Sequence, residues 1–178
     1  FGFMPFYPGP GLGGHCLPID PVYLSWKARL LDIEASFIDL AGRINAAMPR
    51  HVVALVASAL NDAARPVRGS RILVLGVAYK PDVADVRESP AIDILNHLRA
   101  RGADVAYADP HVPALRTDGL DLAAVELTPE ALAEADCVVI VANHTAFDYQ
   151  AVVDRARLVV DTRNATHGLA GQARVVKL

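Results

Sequence analysis

Beyond Gly69 the chain alternates between short, unbroken runs of branched apolar residues and stretches with helical spacing. That alternation leaves few folds open. Arg71-Ile-Leu-Val-Leu75 ends at Gly76 and predicts a buried strand. Ala103–Tyr107, Cys137–Ala142 and Leu158–Asp161 predict further strands, Leu122–Glu126 a short one, and Ala173–Leu178 a last edge strand. Pro90–Ala100 lies between the first two. Ser89 is placed to cap it, Pro90 takes the first helical position, and Gly102 follows its end. Thr128 and Pro129 open a second helix that runs to Ala135 in the same way. Strands with apolar residues at consecutive positions are covered on both faces. Strands separated by helices pair in parallel. The expected fold class is therefore α/β with a parallel sheet. Ligands of such sheets sit at the carboxyl ends of the strands, which here are Gly76–Lys80, Asp109–His111, Asn143–Thr145 and Thr162–Asn164.

The part before Pro66 reads differently. Residues 1–31 are rich in Pro, Gly and aromatics, so no long element is expected until a short helix over Val22–Leu30, after Pro21. From Glu34 to Ala64 apolar residues recur in three- and four-residue steps: Phe37, Ala41, Ile44, Met48, Val52, Leu55, Ala59. They define one long helix with a wide apolar face, which Pro49 is expected to kink or restart. Such a face needs cover, from the sheet or from a second subunit. Pro66-Val-Arg-Gly69 marks the boundary between residues 1–66 and residues 67–178.

With 178 residues, 53% of them hydrophobic and 21% charged, a sizeable core is expected. The net charge of −3 carries no basic footprint, so nucleic acid is not expected as a partner. No apolar run reaches the ~18 residues of a membrane span, and no signal peptide is visible. Cys16 and Cys137 lie too far apart for a disulfide framework or a metal site, and Cys137 falls within an apolar strand as core. His51, His97 and His167 show no metal spacing. His111 and His144 fall at strand ends, either lining a ligand site or serving helix starts and turns. No metal is expected. A reducing, cytoplasmic setting fits this composition. The sequence begins at Phe1 without an initiator Met and reads as part of something longer.

Gly9-Pro10-Gly11-Leu12-Gly13-Gly14 matches G-x-G-x-x-G literally. A dinucleotide-binding turn needs a strand before the first glycine and a helix opening at the third. Pro5-Phe-Tyr-Pro8 is poor strand material, and Pro18 works against a helix there. The glycines can instead let the backbone approach something closely beside a nucleophile. Cys16 follows Gly14 by two residues, with His15 beside it and Asp20 four residues on. A buried, inert cysteine in a tight loop is the other alternative.

Longer stretches narrow these alternatives. "FYPGPGLGGHCLPIDPVYLSWKA", then "FIDLAGRIN", then "LGVAYKPDVADVRESPAIDIL" and finally "VVDTRN" closely resemble the UDP-glucose/GDP-mannose dehydrogenase family. The likeness is greatest to its UDP-N-acetylglucosamine and UDP-N-acetylmannosamine 6-dehydrogenase branch. It covers nearly the whole chain. It implies the C-terminal part of such an enzyme: the end of a central helical region with a dimerisation helix, then a Rossmann-like domain that binds the UDP-sugar. The domain that binds NAD would lie upstream. The implied reaction oxidises C6 from alcohol to carboxylate with two NAD+, in the service of polysaccharide biosynthesis. Cys16 matches the nucleophile, which forms a thiohemiacetal and then a thioester, and Asp20 the acidic residue that acts on water or proton transfer. An N-cap role ahead of Pro21 is the other reading of Asp20. Gly13, Tyr79, Lys80 and Arg163 match substrate contacts, and Arg87 matches a residue that reaches NAD. The implied partners are a UDP-N-acetylhexosamine and a second copy of the chain, joined through helix 34–64 as a homodimer or higher homo-oligomer.

Two departures stand out. The glycine of a "DGRN"-like motif is Thr162 here, and Ile19 stands where the UDP-glucose branch carries lysine. The other functional classes are a nucleotide-sugar-binding module without catalysis, the UDP-glucose branch, and a cysteine hydrolase, for which no clear His–Asp arrangement exists.

Overall fold

The computed structural model describes Gly2, residues 7–117 and residues 119–178. In chain order, α1 covers Cys16–Arg29, α2 Ser36–Asp62, β1 Arg71–Leu75, α3 Pro90–Ala100, β2 Asp104–Ala108 and β3 Ala114–Thr117. There follow β4 Leu120–Ala123, α4 Pro129–Glu134, β5 Cys137–Ile140, α5 Tyr149–Arg155, β6 Leu158–Asp161 and β7 Arg174–Lys177. Five strands form one parallel sheet in the order β2-β1-β5-β6-β7.

The unbroken apolar runs have a direct cause. Successive side chains leave a strand on opposite faces, and here both faces are buried. Ile72 and Val74 of β1 pack with α2 and α3, through residues such as Val56, Leu60 and Leu95. Leu73 and Leu75 pack on the other side with Leu132 of α4 and Val152 of α5. The fold is α/β with a parallel sheet, as the alternation requires. The capping expectations hold as well. Ser89 Oγ accepts a hydrogen bond from Ala91 N, and Thr128 Oγ1 accepts one from Ala131 N.

Four local expectations are corrected. A helix opens at Cys16, six residues ahead of the expected Val22, and runs through both Pro18 and Pro21. Pro18 falls in its first turn, where an N–H has no intrahelical partner in any case, so only Pro21 removes a bond. Asp20 is therefore inside α1 and is no N-cap. Likewise α2 continues unbroken through Pro49. Strong helix formers precede Pro49, and its ring is buried, so packing outweighs one lost hydrogen bond. The strand expected over Leu122–Glu126 is β4, paired antiparallel with an unforeseen β3 in a separate two-stranded ribbon. Helix α5, capped by Asp148, was not anticipated.

The two halves of α2 meet different surroundings. Val52, Val53, Val56, Ala59 and Leu60 are buried in the sheet's core. Toward the other end Phe37 is 88% exposed, with Leu40 and Ile44 exposed too. Helix α1 pins itself beside that end through Ser25 Oγ, which donates to Asp39 Oδ1 at 2.6 Å, and through an Arg29–Asp39 ion pair. Trp26, Leu30 and Leu31 of this helix and its end remain exposed. Among the described residues, no helix is long and apolar enough to cross a membrane.

Candidate functional site

Three loops leave the carboxyl ends of β1, β5 and β6, and a fourth segment, residues 7–15, lies across them. That segment is anchored to α2 by Leu12 N, which donates to Asn45 Oδ1 at 2.7 Å. It is anchored to the β1 loop by Gly14 N, which donates to Arg87 O at 3.1 Å. The approach is close enough to demand glycine. A Cβ on Gly13 would stand 2.4 Å from Glu88 O and 2.8 Å from Tyr79 Cβ. One on Gly14, whose φ is 82°, would stand 2.9 Å from the Tyr79 ring. Of the glycines of the G-x-G-x-x-G match, Gly14 lies packed against Tyr79, Gly11 against Pro90 and Gly9 against Arg163. No strand precedes them among residues 7–15, although α1 does open two residues after Gly14. The Pro5–Phe6 part of the expected non-strand lies outside the described residues. A nucleotide pyrophosphate has no open cradle on these glycines, because Arg163, Pro90 and Tyr79 occupy the space in which it would sit.

Gly13, Cys16, Tyr79, Lys80 and Arg87 line one cleft of about 400 Å³. These five come from two segments more than 60 residues apart in sequence. Cys16 is exposed and is the first residue of α1. Lys80 is exposed, with Nζ 5.4 Å from the centre of the Tyr79 ring, a cation–π distance. The Arg87 guanidinium binds both Asp85 oxygens, with Nε at 2.9 and 3.0 Å and Nη2 at 2.5 Å. Those hydrogen bonds hold the Asp85 carboxyl down to about 2. Asp20 lies on the exposed surface of α1 and does not line this cleft.

Arg163 lines a second cleft of about 510 Å³, together with Tyr7, Asn143, Thr162 and Lys177. Its Nε donates to Val141 O at 2.9 Å, and a Cβ on Gly9 would fall 2.6 Å from its Nη1. The segment 7–15 therefore runs from one cleft to the other. Thr162 stands comfortably in place of glycine. Its φ is not positive, and its hydroxyl donates to Ile140 O at 2.6 Å. The loop beyond it is braced by the fully buried Asp161, whose carboxylate accepts from Arg163 N, Ala165 N and Thr166 N at 2.8–3.1 Å.

Asp109 was not singled out as a site residue, and His144 was read as lining a ligand site or serving a helix start or turn; both lie beneath the Tyr79–Lys80 loop. Asp109 Oδ2 accepts from Val77 N at 2.7 Å and contacts His144 Nε2 at 3.0 Å. Burial pushes this carboxyl up, but the bonds from His144, Val77 and His111 outweigh it and hold it below the ordinary range. His144 is fully buried and also opens a turn, its carbonyl oxygen accepting from Phe147 N at 3.3 Å. The signal available in the sequence was position alone, since both residues stand at strand ends. Asp82, His111 and His144 form the one potential metal-binding trio among the described residues, their ligand atoms within 4.8 Å of one another. Both His144 nitrogens are engaged, however. Nδ1 accepts from Asp82 N at 2.9 Å and Nε2 bonds Asp109, which leaves two free ligands, fewer than a typical site uses.

Cationic side chains and a close-packed glycine segment gather at the carboxyl edge of a parallel sheet, where such folds bind their ligands. Sequence comparison makes this specific. Residues 73–168 match the UDP binding domain of the UDP-glucose/GDP-mannose dehydrogenase family, and residues 1–47 match its central domain. The chain belongs to that family. It is 33% identical over 165 residues to a UDP-N-acetyl-D-mannosamine dehydrogenase of Methanococcus maripaludis, covering 88% of this chain and 36% of the relative. It is 34% identical over 161 residues to an NDP-N-acetyl-D-galactosaminuronic acid dehydrogenase of Ralstonia solanacearum, covering 88% and 36%. A solved UDP-D-ManNAc dehydrogenase from Pyrococcus horikoshii superposes with a TM-score of 0.82 at 28% identity, covering 99% of this chain and 40% of that one. The chain thus spans little more than a third of the curated relatives it matches.

Proposed function

We propose that this chain is the C-terminal part of an NAD-dependent dehydrogenase that oxidises C6 of a UDP-N-acetylhexosamine from alcohol to carboxylate. Residues 1–66 carry the cysteine loop and an oligomerisation helix, and residues 67–178 bind the sugar nucleotide. One observation supports this above the others: Cys16 shares a cleft with Gly13, Tyr79, Lys80 and Arg87. A nucleophile and a cation beside a nucleotide-sized opening suit a substrate whose anionic end must be held while its sugar is attacked.

The chemistry asked of Cys16 is covalent. Its thiolate adds to the C6 aldehyde left by the first oxidation. After the second oxidation C6 is held as a thioester, and water releases the carboxylate and restores the thiolate. Each of the two oxidations would need one NAD+ to take up a hydride. In this reading Arg87 reaches toward the cofactor, whose main binding domain is that of the family's N-terminal part. Lys80 and Arg163 bind the phosphates and nucleotide. Arg163 suits this because its planar fork donates two parallel bonds.

The exposed apolar surface of α1 and of the first half of α2 is the proposed oligomer contact. Phe37 at 88%, Leu31 at 64% and Trp26 at 58% exposure would gain most from cover.

The test is NADH production by the full-length protein with UDP-glucose, UDP-GlcNAc and UDP-ManNAc. Turnover of an N-acetylated substrate is expected, and Cys16→Ser is expected to abolish carboxylate formation. Normal uronate production by that variant would remove Cys16 from the mechanism.

A further inference from the structure

Tyr79 and Lys80 sit between two buried anchors. Upstream, Val77 N and Ala78 N donate to Asp109 Oδ2 at 2.7 and 3.3 Å. Downstream, Asp82 N donates to His144 Nδ1 at 2.9 Å. The anchors are themselves joined, His144 Nε2 to Asp109 Oδ2 at 3.0 Å, and both side chains are fully buried. A reciprocal tie runs outside: Thr145 N donates to Asp82 Oδ1 at 2.8 Å.

A backbone N–H can only donate, so Nδ1 of His144 is the acceptor and Nε2 carries the hydrogen that Asp109 receives. An apolar side chain of similar size would fill the same space but would leave the Asp82 N–H and one Asp109 contact without partners. We propose that His144 is a positioning residue for the sugar nucleotide. By closing the Asp109–His144–Asp82 clamp it holds the three-residue span Tyr79–Pro81 at the cleft without touching the ligand. The proposal rests on the assignment of Tyr79 and Lys80 to the substrate.

Two substitutions separate the halves of the clamp. In His144→Asn the amide oxygen takes the place of Nδ1 and keeps the Asp82 bond. In His144→Gln the longer side chain reaches Asp109 but offers Asp82 N nothing. In the full-length protein, His144→Gln is expected to speed hydrogen exchange of residues 79–87. It should also raise KM for the UDP-sugar about tenfold, with kcat within about twofold of the parent. His144→Asn, which keeps the Asp82 bond but loses the one to Asp109, is expected to lie between His144→Gln and the parent in both. Unchanged exchange in folded His144→Gln overturns the clamp. Faster exchange with unchanged KM, while Lys80→Ala raises KM, overturns the positioning role and leaves the substrate assignment standing. If Lys80→Ala also leaves KM unchanged, the substrate assignment itself fails, and the proposal with it. Should His144→Gln not fold, the unmodified protein decides the matter. The Asp82 amide must exchange about a hundredfold or more below its intrinsic rate, and an unprotected amide refutes the clamp.

Discussion

Adding one methyl group at Gly13 tests how closely the glycine segment meets the β1 loop. In Gly13→Ala the new Cβ would lie 2.4 Å from the Glu88 carbonyl oxygen and 2.8 Å from Tyr79 Cβ. The first of these is backbone and cannot rotate away. Glu88 already holds a φ of 52°, so the neighbouring chain has little freedom to yield. Overpacking of this kind costs about 1–3 kcal/mol. For a chain of this size that corresponds to a melting temperature lower by about 2–12 °C. The relief available is to lift residues 12–15 off the loop, which stretches the Gly14 N to Arg87 O bond and shifts Tyr79. A higher KM for the sugar nucleotide should therefore accompany the loss of stability. Gly42 provides the contrast. A Cβ there meets nothing within 4 Å, and the site is inside α2. Gly42→Ala should stabilise by about 0.5–1 kcal/mol by restricting the unfolded chain. Thermal unfolding followed by circular dichroism compares both variants with the parent. A Gly13→Ala protein that melts at or above the parent temperature would refute the close approach.

Thiol accessibility separates the two cysteines. Cys16 is exposed, whereas burial pushes the Cys137 thiol up to about 12, so iodoacetamide at neutral pH should label the folded protein at Cys16 only, as read by peptide mass spectrometry. Labelling of Cys137 at a comparable rate would contradict its burial. Replacing Phe37 with Glu should shift the protein toward monomer in sedimentation while leaving its circular dichroism unchanged, because the Phe37 side chain is 88% exposed and carries little of the fold. A parent protein already monomeric at micromolar concentration would remove the oligomer contact. Acid stability follows from depressed carboxyl groups. Asp85 is held down to about 2 by Arg87, so its contribution is present above the unfolded value near 4 and is lost as pH falls toward 2. Arg87→Ala should flatten that part of the stability–pH curve, and an unchanged curve would show the pair to be inert.

The elements that were legible in the sequence are those whose cause is local. Ser89 with Pro90, and Thr128 with Pro129, mark helix starts because their side chains satisfy backbone donors a few residues away. Continuous Val and Ile runs mark strands buried on both faces. The elements that were missed lack such marks or carry misleading ones. Helix α5 is only Tyr149–Arg155, too short for a period to emerge. Pro18 and Pro21 argued against a helix that tolerates Pro18 because it falls in the first turn, and Pro49 against a helix that tertiary packing sustains. In the candidate site, Cys16, Tyr79, Lys80 and Arg87 were legible through long motifs. Asp109 and His144 were not, because nothing in their neighbours announces a bond across 35 residues.

The sequence by itself determined the α/β class, the parallel sheet, the strand ends at which a ligand would sit, and the family. The first three follow from patterns repeated along a few neighbouring residues, and the family from long motifs in a fixed order. Only the tertiary structure decided what Gly9–Gly14 is for. Its glycines are empty of side chains because Tyr79, Glu88 and Arg163 fill that space from segments far away in the chain. Likewise only the fold could set His144 between Asp82 and Asp109, since a hydrogen-bond clamp depends on distances that sequence order does not contain.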